Sequence, residues 1–100
     1  MNIIIDRPQL VRVVLLYLNM NFGNLTPKTY TELILYVNSD IEVMMKYNKK
    51  NGIVFIDYTN IWSKIESLFS LDSSETQSIM RVWLAETYDL RRVTPTRGWI

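Results

Sequence analysis

The chain contains neither cysteine nor histidine among its 100 residues. Without cysteine it can form no disulfide, thiolate nucleophile or cysteine metal site, and this fits a reducing compartment. Without histidine it also lacks the usual zinc sites, Ser-His or Cys-His nucleophile systems and a histidine pH switch. An enzyme of this composition would depend on carboxylate, lysine or tyrosine chemistry. We therefore expect a protein that is not an enzyme and uses no cofactor or metal.

Proline and glycine are scarce, with three of each, and the formal net charge is only +1. With 48% hydrophobic and 21% charged residues, the composition is that of an ordinary globular chain, and 100 residues suit a single domain, residues 1–100. With so small a net charge, the chain as a whole has no electrostatic field that would attract nucleic acid or an anionic membrane. The charge distribution is uneven, because residues 57–89 are acidic whereas the last ten contain three arginines and no acid.

A membrane-spanning run is also missing. Residues 10–18 are largely apolar but are interrupted by Arg12, and they fall well short of the roughly 20 residues that span a bilayer. Asp6 occupies what would be the basic part of a signal peptide, and no small-residue cleavage site follows. We expect no membrane contact and a cytoplasmic location, which would be the host cytoplasm if the protein is viral.

Residues 10–22 form the most unusual segment, because they are apolar around most of a helix. At about 100 degrees per residue the apolar arc covers roughly 260 degrees, with a polar wedge at Arg12 and Asn19. Asp6 is a candidate N-cap with Pro8 in the first turn, and Gly23 marks the end. Such a helix must be covered on more than one side. One edge of the arc carries Val13, Leu16 and Met20. If the rest of this chain covers that edge, the helix is the central core element; if not, the edge is a binding surface for a partner.

The middle of the chain predicts a β-sheet. Residues 25–30 read as a turn or loop around Pro27, and residues 33–37 fit either a helix or a strand. We favour the strand, because an isolated two-stranded hairpin is only marginally stable. Residues 41–47 and 53–56 alternate as a hairpin, with Gly52 supplying positive φ in its loop. The alternation predicts one side with Ile41, Val43, Met45 and Tyr47 and the other with Glu42, Met44 and Lys46.

Two helices should follow and pack against each other as a helical hairpin. Asp57 or Thr59 is the candidate cap of the first, and Asp72 with Glu75 resembles a capping box for the second. Aromatic residues at helical spacing predict core packing rather than a ligand pocket; they are Tyr58, Trp62, Phe69, Trp83 and Tyr88. Tyr36 and Tyr47, on strands, are expected to reach solvent or a partner.

The predicted fold is therefore α+β, with an N-terminal buried helix, a three-stranded antiparallel meander, a C-terminal helical hairpin and an extended, irregular tail. Trp99 and Ile100 are unusual at a chain end, so we expect the tail to be held against the domain or a partner. No glycine spacing fits a phosphate-binding loop, and no pair of carboxylates has metal-binding spacing. The sequence thus contains no recognisable catalytic arrangement.

The leading hypothesis is a non-catalytic protein–protein interaction or assembly module whose partner is this chain or another protein. Its candidate partner-binding residues are Val13, Leu16, Met20, Trp99 and Ile100. The mix of Asn, Ile, Tyr and Met in a short chain resembles that of small viral or phage accessory proteins. The alternative is a small nucleic-acid-binding protein, since basic residues near aromatic ones can bind phosphate and stack on bases. Its candidate residues are Lys49, Lys50, Arg91, Arg92 and Arg97.

Overall fold

A computed structural model of the protein describes residues 6–98. Residues 1–5, together with the predicted partner-binding residues Trp99 and Ile100, lie outside them. The elements, in chain order, are α1 (Arg7–Phe22), β1 (Thr26–Thr29), β2 (Leu33–Val37), β3 (Val43–Asn48), β4 (Ile53–Phe55), a 3-10 turn (Tyr58–Asn60), α2 (Ile61–Phe69), α3 (Ser73–Tyr88) and β5 (Thr94–Thr96). The strands form one sheet in the order β1-β2-β3-β4-β5. The α+β class and the strand at residues 33–37 are confirmed.

The predicted three-stranded meander is wrong, because two edge strands extend it to five. Residues 26–29, predicted as a turn or loop, pair antiparallel with β2, and the predicted irregular tail contains β5, which pairs parallel with β4. Each strand contains a proline, which lacks a backbone donor and is tolerated at a sheet edge. Neither shows an alternating apolar pattern. Backbone pairing with β2 explains why β1 forms, since its side chains are all exposed. In β5, backbone pairing with β4 is accompanied by burial of the Pro95 side chain.

A β-bulge changes the predicted side-chain alternation of β3. Tyr36 lies opposite Met45 and Val37 lies opposite Val43, so Met44 is the extra residue. Met44 and Met45 are consequently both buried, although opposite faces were predicted for them. Ile41 was predicted on the side of Met45, but it precedes the strand, has φ of 61° and is 70% exposed.

The helix termini follow the sequence signals at α1 and α3. The Asp6 side chain accepts a hydrogen bond from the Gln9 amide at 3.0 Å, and the Asp72–Glu75 capping box is complete. The end of α1 at Gly23 is also confirmed, because the helix runs to Phe22 and Gly23 is its C-cap. A Cβ at Gly23 would collide with the Asn19 carbonyl oxygen. The predicted caps of α2 are wrong: a 3-10 turn precedes that helix.

The helices and the inner face of the sheet enclose the core. Trp83 is completely buried and makes edge contacts with the rings of Phe22 and Tyr88, at 6.4 and 5.6 Å between centroids. Its indole Nε1 donates a hydrogen bond to Asn19 Oδ1 at 2.8 Å. Trp62 is buried as well, so the core role of the two tryptophans is confirmed. Tyr36 was expected to reach solvent or a partner, but its side chain is buried against Tyr88.

Above about pH 10 the stability of the protein is expected to fall, and Tyr36→Phe should make the fall shallower. Burial raises the pKa of Tyr36, and repulsion from Tyr88 and Tyr47 adds to the shift. In the unfolded chain a tyrosine ionises near pH 10. Between that pH and the higher folded pKa, the unfolded state binds fewer protons, so the free energy of unfolding decreases as pH rises.

Urea denaturation of both proteins at intervals from about pH 8 to about pH 11 measures this difference. The pKa values of Tyr58 and Tyr88 are raised too, so part of the fall should persist in the variant. A Tyr36→Phe profile parallel to that of the unaltered protein at every pH would contradict the burial of this hydroxyl.

Candidate protein-binding site

Helix α1 is buried on one side only. Its core face carries Val14, Leu18 and Phe22, all 3% exposed or less. The prediction of a buried N-terminal helix is therefore wrong for the opposite side. The reason is that the sheet and the other two helices cover a single face of α1, whereas the apolar arc of this helix is wider than that face. Part of the arc is therefore exposed. Within the described residues, no helix has the length and apolar character that crossing a membrane requires.

The uncovered side of α1 carries the three residues predicted as the partner-binding strip. Val13 is 42% exposed, Leu16 57% and Met20 86%. At about 100 degrees per residue they lie roughly opposite Leu18, which is in the centre of the core face. We call them the α1 outer stripe. With Gln9 they follow a four-three-four spacing, which is the spacing of a coiled-coil seam.

A groove runs beside the α1 outer stripe, between α1 and α3. The two helices are parallel, because Arg7 pairs with Glu75 at one end and Asn19 accepts a hydrogen bond from Trp83 farther along. The groove has a volume of about 710 Å³. We call it the α1–α3 groove; its lining residues are Arg7, Pro8, Val11, Arg12, Leu15, Leu16, Asn19, Val82 and Glu86.

Leu16 belongs to both the α1 outer stripe and the groove, and Val82 extends the apolar surface onto α3. Val82 is 42% exposed. The sequence signal for Val82 is weak, because Val82 lies outside the buried stripe of α3, which includes Ile79 and Trp83. An outward-facing apolar residue of one helix extends the apolar surface of another helix only when the two helices lie side by side. The continuous apolar area is thus larger than the sequence predicts.

Two opposite charges border this apolar area. Arg12 on α1 and Glu86 on α3 both line the groove and are both exposed. Neither forms an ion pair with any residue in the range 6–98, whereas Arg7, at the end of the groove, pairs with Glu75. The groove therefore presents one unpaired positive and one unpaired negative side chain to whatever binds it.

The outer face of the sheet is a second apolar surface, which the sequence did not predict. Its side chains alternate along the strands with core residues such as Ile34, Tyr36 and Val54. On this face Lys46 lies in register between Leu35 and Phe55, and its aliphatic stem can shield these two neighbours. The apolar residues of this face are Leu33, Leu35, Val37, Val43, Ile53 and Phe55; Val37 is buried and the other five are partly buried. The missed signal was that residues 33–37 are apolar on both sides of a strand.

The candidate nucleic-acid residues are only partly brought together. Lys49 and Lys50 are exposed at the β3–β4 turn. The amide of Thr94 donates a hydrogen bond to the carbonyl of Gly52 at 2.8 Å, which places this turn beside the residues that precede β5. Arg91 and Arg92 are therefore at the same end of the sheet.

The remaining arginine of that set lies elsewhere and is already engaged. Arg97 follows β5, pairs with Glu66, and has its guanidinium 5.6 Å from the centre of the Trp62 ring. Arg91 is also paired, with Asp89 at 2.9 Å. The five predicted cations consequently do not form one basic surface, and the acids of the helical region neutralise two of them.

No cluster of three or more Asp and Glu residues between positions 6 and 98 could bind a metal ion. The pKa of Glu42 is lowered because Tyr58 and Asn38 donate hydrogen bonds to its carboxylate. These contacts fasten the β2–β3 turn to the segment that precedes α2.

Comparison with protein-family models, with curated proteins and with solved structures found no match for this chain. A function therefore has to be inferred from the surfaces and contacts of the chain itself.

Proposed function

We propose that the protein is a non-catalytic protein–protein interaction or assembly module that binds its partner through the α1 outer stripe. The observation that carries this proposal is the exposure of Val13, Leu16 and Met20, at 42%, 57% and 86%, on the side of α1 away from the core. Scattered single apolar residues on a surface need no explanation, but a row at seam spacing beside a groove indicates a protein-binding site.

The energetics require the partner to contact more than the α1 outer stripe. Full burial of an aliphatic side chain contributes about 1.5–3 kcal/mol, and these three are already partly covered. Association costs on the order of 4–15 kcal/mol. The stripe alone is therefore insufficient, and the apolar wall of the α1–α3 groove, with Leu15 and Val82, supplies additional contact area. The predicted contribution of Trp99 and Ile100 stays a prediction.

The proposal includes a cytoplasmic setting, which is supported by the absence of cysteine. It also includes a viral or phage origin, which is supported by the composition. Neither affects the binding surface or the way in which it is tested.

The double substitution Leu16→Glu/Met20→Glu is expected to abolish association while leaving the fold intact. Two carboxylates would be desolvated on binding, but both positions are exposed in the free chain. We expect the free energy of unfolding to change by less than about 0.5 kcal/mol per substitution. Light scattering of the chain, alone and with copurifying protein, measures the loss of association, and urea denaturation measures stability.

The matched control is Ser63→Glu/Ser67→Glu, which adds the same two charges at the same spacing to the exposed face of α2. It should leave association unchanged. Equal association by both double variants and by the unaltered chain would show that the α1 outer stripe is not a binding site.

Nucleic-acid binding is the weaker alternative. The proximity of Lys49 and Lys50 to Arg92 supports it, and the ion pairs of Arg91 and Arg97 count against it. In the same experiment a single-stranded oligonucleotide serves as a second ligand. Affinity that falls steeply with salt, and that survives Leu16→Glu/Met20→Glu, would favour this alternative over protein binding.

A further inference from the structure

We infer that the occupant of the α1–α3 groove is the α1 outer stripe of a second copy of this chain, in a two-fold symmetric dimer. This inference names the partner of the proposed function and rests on that function. It follows from the shape and the charge of one continuous surface.

The shape is self-complementary. Helices pack by placing the side-chain ridge of one into the groove of another. On this protein the ridge, Val13, Leu16 and Met20, and the α1–α3 groove lie side by side and share Leu16. In a two-fold dimer, each copy can place its ridge in the groove of the other, and both apolar surfaces are covered at once.

The groove also extends far enough to receive a helix. A second depression of about 370 Å³ continues it toward the start of α3 and shares Arg7, Val11 and Val82 with the first. Its floor includes the buried Ile79, and its rim carries Ser74 and Ser78, two small side chains that leave room for a neighbouring helix. The continuous groove thus follows α1 and α3 along much of their length.

The charges select a second copy over a partner of uniform charge. Arg12 and Glu86 border the same groove, have opposite signs and have no ion-pair partner within residues 6–98. A uniformly acidic partner would pair with Arg12 but be repelled by Glu86, and a uniformly basic partner would pair with Glu86 but be repelled by Arg12. A two-fold related copy offers Glu86 to Arg12 and, by the same symmetry, Arg12 to Glu86. The net charge of +1 adds little repulsion between copies.

Reciprocal charge reversal tests this pairing on the full chain. Light scattering across a micromolar-to-millimolar concentration series should show the unaltered chain passing from 11.9 kDa to twice that mass. Arg12→Glu and Glu86→Arg should each weaken dimerisation by at least about tenfold, because each places like charges together twice in a homodimer. An equimolar mixture of the two variants should restore the dimer, since both contacts then join opposite charges.

Arg81→Glu is the matched control, because Arg81 is exposed on α3 but does not line the groove. It should dimerise as the unaltered chain does. A chain that remains at 11.9 kDa throughout the series would overturn the dimer, and so would single variants that dimerise normally or a mixture that stays monomeric. These results do not overturn the proposed function, which fails only if Leu16→Glu/Met20→Glu affects no association with any protein.

Discussion

Replacing Trp83 by alanine is expected to lower the free energy of unfolding by about 3–5 kcal/mol, which is the usual cost of removing a large buried aromatic side chain. Trp83 has no exposed surface and contacts the rings of Phe22 and Tyr88. The substitution would leave a cavity between α1 and α3. Because domains of this size are stable by only about 5–15 kcal/mol, the loss should be visible as a large decrease in the urea midpoint.

Trp83→Phe provides a graded control for this prediction. Phenylalanine keeps most of the ring packing but cannot donate the hydrogen bond that Trp83 Nε1 makes to Asn19 Oδ1. Its destabilisation should therefore be smaller than that of the alanine variant. A loss below about 1 kcal/mol for Trp83→Ala, typical of a surface position, would contradict the placement of this residue at the centre of the core.

Leu18→Ala and Leu16→Ala should differ sharply although they change the same residue type in the same helix. Leu18 is completely buried, whereas Leu16 is 57% exposed. We expect Leu18→Ala to cost about 2–5 kcal/mol of stability and Leu16→Ala to remain within about 0.5 kcal/mol of the unaltered chain. Because helix propensity changes equally at both positions, the difference reports burial alone.

Urea denaturation of the two variants at a protein concentration low enough to suppress self-association makes this comparison. If both variants were strongly destabilised, α1 would be covered on both sides within one chain, and the α1 outer stripe would not be available to a partner. If neither were destabilised, the packing of α1 against the core would be contradicted.

The parts of the fold that the sequence predicted are those controlled by neighbouring residues along the chain. Asp6 and Asp72 cap α1 and α3 because a short polar side chain can reach the free amides of the first helical turn. Gly52 has φ of 73°, as expected for the loop of the β3–β4 hairpin. Each interaction extends over at most three residues, so the local sequence contains all the participants.

The errors in the strands have a different origin. Residues 26–29 and 94–96 lack an apolar alternation, and they form strands because β2 and β4 offer unpaired backbone groups to them. The bulge at Met44 comes from the pairing of β3 with β2. Because of this bulge, the residues that precede Met44 lie on the opposite face of the sheet from the one predicted. In the case of β5, the partner strand β4 is distant in sequence, because α2 and α3 lie between the two strands. A local sequence pattern therefore contains no information about that contact.

The residues of the candidate binding site were likewise predictable only in part from the sequence. From the sequence it is evident that α1 is apolar around most of its circumference and that Val13, Leu16 and Met20 form one edge of the apolar arc, facing either the core or a partner. The packing of the helices places these residues outward and sets α3 beside them, which forms a groove with Arg12 and Glu86 at its edges. Hydrophobicity belongs to each residue, whereas exposure depends on which other surface of the folded chain lies against it.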